Sequence, residues 1–135
     1  MEFVTAGADP AEMPFTPAVV TTGGRHVWLS GATAFPLVHT HPHDEEELTV
    51  PDGIGEQARA CLENLRTAVE AAGGTVRDIV ETTIYTTEMK NQDEVNRVYM
   101  EFFREHRPAR SHIGVSHLVG GNIKIEISAH AVIGG

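Results

Sequence analysis

Apolar and polar positions along the chain repeat with two different periods, and the two periods predict its helices and strands. From Ile54 to Ala72 the apolar side chains recur every three to four residues, which predicts an amphipathic helix that stops at Gly73-Gly74. A second stripe with the same spacing predicts another helix, which begins after the capping residues 91–93. Its apolar members are Val95, Val98, Tyr99, Phe102 and Phe103.

Strand-like segments precede and separate these helices. Residues 18–22 and 26–30 are short apolar runs on either side of Gly23-Gly24, a dipeptide that predicts the tight turn of a β-hairpin. Residues 79–87 are rich in β-branched side chains and predict a strand between the two helices.

The last quarter of the chain predicts two further strands, 111–118 and 123–133, which we expect to lie side by side. In the second of them, apolar residues alternate with polar ones, so that Glu126 lies on the polar face. Arg110 and His112 are separated by a single residue and project from one face of their strand. A trio of Arg110, His112 and Glu126 is therefore predicted, provided that the strand register brings the three side chains together.

Residues 32–53 break this pattern and predict a long solvated loop, with an acidic run at 44–47. The segment His39-Thr40-His41-Pro42-His43, with Glu46 and Gly53, resembles part of a cupin metal motif, because two histidines two apart and a later carboxylate can chelate a divalent ion. The upstream glycine and the second motif of that pattern are absent from the sequence. We therefore expect no metal, and a loop that is able to form a lid over a pocket.

Composition narrows the possible classes of protein. The 135 residues, with 41% hydrophobic and 21% charged side chains, are typical of a single domain over 1–135. The formal net charge of −9 and the scattered basic residues disfavour nucleic-acid binding. Cys61 falls within the first helix as a buried small side chain rather than a nucleophile, and the lone cysteine favours a reducing compartment. With no signal peptide and no apolar run of membrane-spanning length in this sequence, a cytoplasmic protein that does not enter membranes is expected.

Ordered segments along nearly the whole chain resemble the Rid family of enamine/imine deaminases, also called YjgF-like proteins. The segments with the strongest resemblance are Trp28-Leu29-Ser30-Gly31, Pro108-Ala109-Arg110-Ser111 and Lys124-Ile125-Glu126-Ile127. The resemblance implies an α+β fold of the YjgF-like, chorismate-mutase-like type, in which a mixed β-sheet carries two helices on one face. It also implies a homotrimeric barrel with ligand sites between subunits.

The same resemblance implies hydrolytic deamination of small 2-enamine or 2-imino acids to 2-keto acids and ammonia, with no cofactor. Arg110 would bind the substrate carboxylate and Glu126 would place a hydrolytic water. Ser30, Gly31 and Asn96 lie in matching segments and, together with Phe15, are expected to line the substrate pocket.

The sequence departs from the family pattern at several positions, which keeps two other functions open. Phe15 stands where active members usually have an aromatic hydroxyl, Ala32 replaces a usual glutamine, and His112 replaces a frequent cysteine. A histidine beside a guanidinium favours its neutral form and is suited to accept or deliver a proton. The chain is expected to be a deaminase, with a non-catalytic binding protein for a keto or carboxylic acid as the alternative. A 2-aminomuconate-type deaminase, in which Arg107 binds a second carboxylate, is the other possibility.

Overall fold

The computed structural model describes residues 1–46 and 48–135. Its strands are β1 (Glu2–Val4), β2 (Ala18–Val20), β3 (Arg25–Ala32), β4 (Ile79–Thr86), β5 (Ala109–Gly114) and β6 (Ile125–Ile133). Its helices are α1 (Ile54–Ala71) and α2 (Gln92–Phe103), and short 3₁₀ turns at Val76–Asp78 and Met89–Asn91 precede β4 and α2.

Four of the strands form one mixed sheet in the order β3-β6-β4-β5. The β4–β5 pair is parallel, whereas β6 runs antiparallel to both β3 and β4. A separate two-stranded sheet pairs β1 with β2. Both helices pack on one face of the large sheet, as their joint apolar core shows, and the predicted α+β class is confirmed.

The core lies between the helices and this sheet, and it follows the predicted periodicity. All five apolar residues of the α2 stripe are buried, and β6 buries every second side chain from Ile125 to Ala131. Tyr99 is completely buried, and its hydroxyl forms a 2.7 Å hydrogen bond with Thr82 Oγ1 on β4. The bond provides the partner that a polar group needs inside an apolar core.

The predicted hairpin between 18–22 and 26–30 is wrong. Gly23 and Gly24 do adopt positive φ values of 74° and 83°, so they turn the chain as expected. The turn, however, leads from the small sheet to the large one, because β2 pairs with β1 and β3 pairs with β6.

The expectation that the last two strands lie side by side is also wrong, because β4 separates β5 from β6. The order β4, α2, β5 forms a strand–helix–strand crossover, and a helical crossover returns the chain parallel to the strand it left. β5 also ends at Gly114 rather than at residue 118, and β6 begins at Ile125 rather than at residue 123.

The predicted loop follows β3 and runs to the start of α1. Asn64 on α1 fixes its first part, since Asn64 Nδ2 donates to the carbonyl oxygens of Thr33 (3.0 Å) and Phe35 (2.8 Å). Glu47, the last residue of the acidic run, lies outside the described residues. In the described part of the chain, no helix has both the length and the apolar character that a bilayer crossing requires.

Candidate functional site

Arg110 lies at the start of the edge strand β5 and points towards α2. Its parallel register with Thr82, a fully buried core residue, places it on the helix-bearing face of the sheet. Arg110 Nη2 donates to Asn96 Oδ1 at 2.8 Å, and the guanidinium carbon lies 4.8 Å from the centroid of the Tyr99 ring. The other terminal nitrogen, Nη1, is buried and has no hydrogen-bond partner in the protein.

This unpaired nitrogen gives the site its electrostatic character. Burial lowers the pKa of Arg110 from its ordinary value, with a smaller opposing effect from Tyr99, yet a guanidinium keeps its proton under physiological conditions. Burial also raises the pKa of Tyr99, so its ring remains a neutral surface beneath the cation. A half-buried cation with a free N–H donor on its buried Nη1 is suited to bind an anionic oxygen, above all that of a carboxylate.

His112 lies on the same face of β5, as predicted, opposite the buried Ile84 of β4. Neither ring nitrogen has a hydrogen-bond partner in the protein, and both nitrogens are buried. Burial is the main cause that lowers the pKa of His112, and the positive charge of Arg110 adds to it. His112 is therefore neutral at neutral pH, with a ring nitrogen able to accept a proton from a bound molecule.

Glu126 lies on the opposite face of the sheet, so the predicted trio does not assemble within one chain. Its register partner on β4 is Tyr85, which alternates with the core-facing residues of that strand. The carboxylate of Glu126 lies against the backbone of Gly31, and a Cβ at position 31 would collide with it. Gly31 itself lies in a β-bulge of β3, between Leu29 and Ala32.

The predicted pocket residues accordingly divide into two groups. Arg110, Asn96 and His112 belong to the α2–β5 side, whereas Ser30, Gly31 and Glu126 belong to the β3–β6 side. Phe15 is half-buried in the segment before β2. The next residue, Thr16, ties this segment to the start of β5, because its backbone N–H donates to the Pro108 carbonyl at 3.1 Å.

Arg107 does not extend the carboxylate-binding group in the way that a 2-aminomuconate-type site requires. Its Nη1 donates to the backbone carbonyl oxygens of Pro10 and Met13, so the guanidinium braces the N-terminal segment. The sequence also assigned Tyr99 only to the core, although it forms the aromatic surface under Arg110. Tyr99 follows Asn96 by three residues, which places both on one face of α2. This spacing is the feature of the sequence that could have predicted Tyr99 beside Arg110.

Reactive side chains also occur away from β5, in α1 and in the loop after β3. Cys61 is completely buried, and burial raises the pKa of its thiol, which agrees with the interpretation of Cys61 as a core residue rather than a nucleophile. Among the described residues, the side chains grouped closely enough to hold a metal are His39, His41 and His43. They belong to the loop after β3 and not to β5.

Comparison with known proteins gives consistent matches over nearly the whole chain. The sequence profile of the family described as endoribonuclease L-PSP matches residues 6–133. A 2-iminobutanoate/2-iminopropanoate deaminase of Salmonella typhimurium is 43% identical over 94 residues, which span 67% of this chain and 73% of that protein.

Solved structures agree with this result. The YjgF gene product of Escherichia coli is 34% identical with a TM-score of 0.68, over 98% of each chain. Escherichia coli TdcF, solved with bound serine, is 31% identical with a TM-score of 0.67, over 90% of this chain and 95% of that one. By this combination of profile, sequence and fold, the chain belongs to the endoribonuclease L-PSP family, which is the family of the Rid or YjgF-like proteins.

Proposed function

We propose that this protein hydrolyses small 2-enamine or 2-imino acids to 2-keto acids and ammonia. The observation that carries the proposal is the buried, partnerless Nη1 of Arg110 beside a partnerless His112. The 2-iminobutanoate/2-iminopropanoate deaminase activity in the name of the Salmonella relative supports the reaction type. The deaminase is proposed to act in the cytoplasm, where a free buried thiol such as that of Cys61 stays reduced.

Arg110 is proposed to bind the substrate through its carboxylate. Nη2 gives one N–H to Asn96 and keeps a second, while both N–H groups of Nη1 remain available. One carboxylate oxygen can therefore accept from each terminal nitrogen, which fixes the plane of the substrate as well as its position. The serine bound to TdcF carries the same α-carboxylate group, which supports this class of ligand.

The chemical step requires little more than orientation and proton movement. Water adds to the C=N carbon to give a tetrahedral carbinolamine, whose C–N bond then breaks to release ammonia and leave the 2-keto acid. Neutral His112 accepts a proton from the attacking water and passes it to the imine nitrogen. It then takes the hydroxyl proton of the carbinolamine and passes it to the amine as the C–N bond breaks, so both protons of the water leave with ammonia. Because the imine is already reactive, holding it beside a proton acceptor supplies most of the acceleration.

A homotrimer is proposed to complete the site. The sheet face that carries Glu126 also exposes Trp28, which is 78% accessible, and Ile113, which is 42% accessible. Large exposed apolar groups of this kind mark an interface. In a closed ring of three chains, Glu126 of one subunit faces the Arg110 side of the next and holds the water there.

The carboxylate-binding contacts of Arg110 are complete within one chain, whereas Glu126 lies on the other face of the sheet. This observation favours a binding protein as the second candidate function. Such a protein would hold a keto acid at Arg110 without turnover. The two functions differ in whether imine disappears faster in the presence of the protein.

An imine-hydrolysis assay tests the proposal. An amino-acid oxidase generates 2-iminopropanoate or 2-iminobutanoate in solution, and the loss of imine is followed after subtraction of the uncatalysed rate. We expect acceleration by the wild type and a fall in kcat/KM of about a hundredfold or more for Arg110→Ala, because a charged bidentate contact is lost. Arg97→Ala removes an exposed arginine from the same helix as Asn96 and is expected to leave the rate unchanged. Failure of the wild type on every imino acid contradicts the deaminase, and keto-acid binding without turnover supports the second candidate.

A further inference from the structure

Three histidines at alternate positions of the loop after β3 lie together in space. One ring nitrogen from each of His39, His41 and His43 lies within 4.8 Å of the corresponding nitrogens of the other two. The sequence pattern alone predicted no metal in this loop, and the clustering changes that expectation: we propose that these three side chains form a binding site for one divalent transition-metal ion of the zinc type. The proposed deaminase reaction makes no use of such an ion, so the site is a separate property of the chain.

The ring separations agree with the geometry that a shared ion imposes. With Zn–N bonds of about 2 Å at tetrahedral angles, the three nitrogens lie about 3.4 Å apart and the ring centres about 5 Å apart. The ring centroids are 4.7 Å apart for His39 and His41, 4.7 Å for His41 and His43, and 5.3 Å for His39 and His43. The three nitrogens, which lie within 4.8 Å of one another, have to close to about 3.4 Å when an ion binds.

Ordinary packing does not account for the cluster. His41 and His43 are exposed, so their rings gain little from the removal of apolar surface from water. Ordering three side chains in contact nevertheless costs rotamer entropy. A metal ion bound to all three offsets that cost, whereas contact among the imidazoles alone does not.

His39 is already oriented as a ligand. Its Nδ1 lies 2.8 Å from the carbonyl oxygen of Pro36, and donation to that oxygen leaves the lone pair on Nε2. Metal-binding histidines commonly use this second contact to fix the ring and its tautomer. The His39 ring also contacts Phe35, with centroids 6.1 Å apart, and Phe35 is buried and held through its carbonyl by Asn64 of α1. One edge of the site is thus anchored to the folded domain.

The donor set selects the class of ion. Neutral imidazole nitrogens favour zinc, copper, nickel and iron over magnesium and calcium, which prefer oxygen. Three protein ligands leave a fourth tetrahedral position for water or another small donor. The net charge of −9 further favours a cation over an anion.

Zinc binding to untagged protein tests the site. Protein stripped with a chelator and dialysed is titrated with Zn²⁺ against a chromogenic chelator, and Co²⁺ is added separately to read the coordination from its visible absorption. We expect one ion per chain, and an affinity at least about tenfold weaker in each of His39→Ala, His41→Ala and His43→Ala. His117→Ala removes an exposed histidine elsewhere and is expected to match the wild type.

Several outcomes would overturn the site. These are no stoichiometric binding to the wild type at micromolar zinc, full retention of binding by the triple alanine variant, or an equal loss in His117→Ala. Circular dichroism and thermal unfolding of each variant separate a lost ligand from a lost fold. Since the replaced rings of His41 and His43 are exposed, both variants are expected to unfold like the wild type.

Discussion

Arg107, Arg110 and His112 are the described residues whose buried side-chain nitrogens have no hydrogen-bond partner. Each such group costs about 1–3 kcal/mol of folding free energy. Four such nitrogens, in three of the six residues 107–112, concentrate that cost at the start of β5. A ligand that forms hydrogen bonds with Arg110 Nη1 and with the His112 ring recovers their share of that cost, which is the physical basis of the proposed site.

The pH dependence of His112→Ala tests the neutral imidazole. The pKa of His112 is lowered in the folded state, so below about pH 6.5 the unfolded chain binds more protons and the wild type loses stability as the pH falls. The alanine variant lacks this loss, and the difference between the two thermal unfolding curves should narrow or reverse between pH 7.5 and pH 5. The fall of kcat/KM at acid pH should disappear, and kcat/KM itself should drop about tenfold to a hundredfold.

His117→Ala, which removes an exposed histidine, should keep both the fall of kcat/KM at acid pH and the wild-type rate. An unchanged rate and profile in His112→Ala would show that His112 is only a wall of the pocket.

Gly31→Ala tests the position of Glu126. A Cβ at residue 31 collides with the Glu126 carboxylate, so the carboxylate has to move. We expect kcat for imine hydrolysis to fall about tenfold or more, as a displaced water-holding group implies. Keto-acid binding through Arg110 should stay close to wild type, as measured by calorimetry. Gly121→Ala is the matched control, because a Cβ there meets nothing within 4 Å.

At the scale of elements, the strand–helix–strand unit β4-α2-β5 places Arg110 beside Asn96. The periodicities predicted both helices and the alternation of β6, because burial on one face leaves a local record in the sequence. The partners of β2 and β5 were not predictable in this way, since pairing depends on residues far apart in the chain. The same limit explains why Arg110 and His112 were correctly placed on one face while Glu126 was wrongly grouped with them.

Gln57 shows how one side chain connects elements that are distant in sequence. It is completely buried in α1, and its Nε2 donates to the carbonyl oxygens of Pro51 (2.8 Å) and Asn122 (2.9 Å). Its Oε1 accepts from the backbone N–H of Lys124 at 2.9 Å. The amide therefore holds the end of the loop and the entrance to β6 on the first turn of the helix.

Gln57→Leu should lower the free energy of unfolding by about 2 kcal/mol or more, because it leaves these backbone groups buried without partners. Chemical denaturation with a linear extrapolation gives the value. Arg59→Ala, two residues along the same helix, breaks an exposed 3.1 Å ion pair with Glu101 and should cost less than about 1 kcal/mol. Equal losses in the two variants would contradict the role of Gln57.

At the scale of the whole molecule, one face of the sheet carries the helices and the other carries exposed side chains, Trp28 among them. Trp28 lies against His130 of β6, with ring centroids 3.9 Å apart, and is nevertheless largely exposed. The uncovered face and the separated halves of the site are both explained by the proposed trimer. In that arrangement each site takes Arg110 from one chain and Glu126 from its neighbour.

The separation of Arg110 and Glu126 on opposite faces of one sheet has a genetic consequence. Two inactive alleles, Arg110→Ala and Glu126→Ala, should complement each other when they are expressed together. In a mixed ring, some junctions take Arg110 from the Glu126→Ala chain and Glu126 from the Arg110→Ala chain, and these junctions are intact. Random mixing of equal amounts leaves about a quarter of the junctions intact, and activity should recover to about that fraction of wild type. A site built within a single chain allows no such rescue. Co-expression of the two alleles therefore distinguishes a site shared between subunits from a site within one chain, without a structure of the assembly.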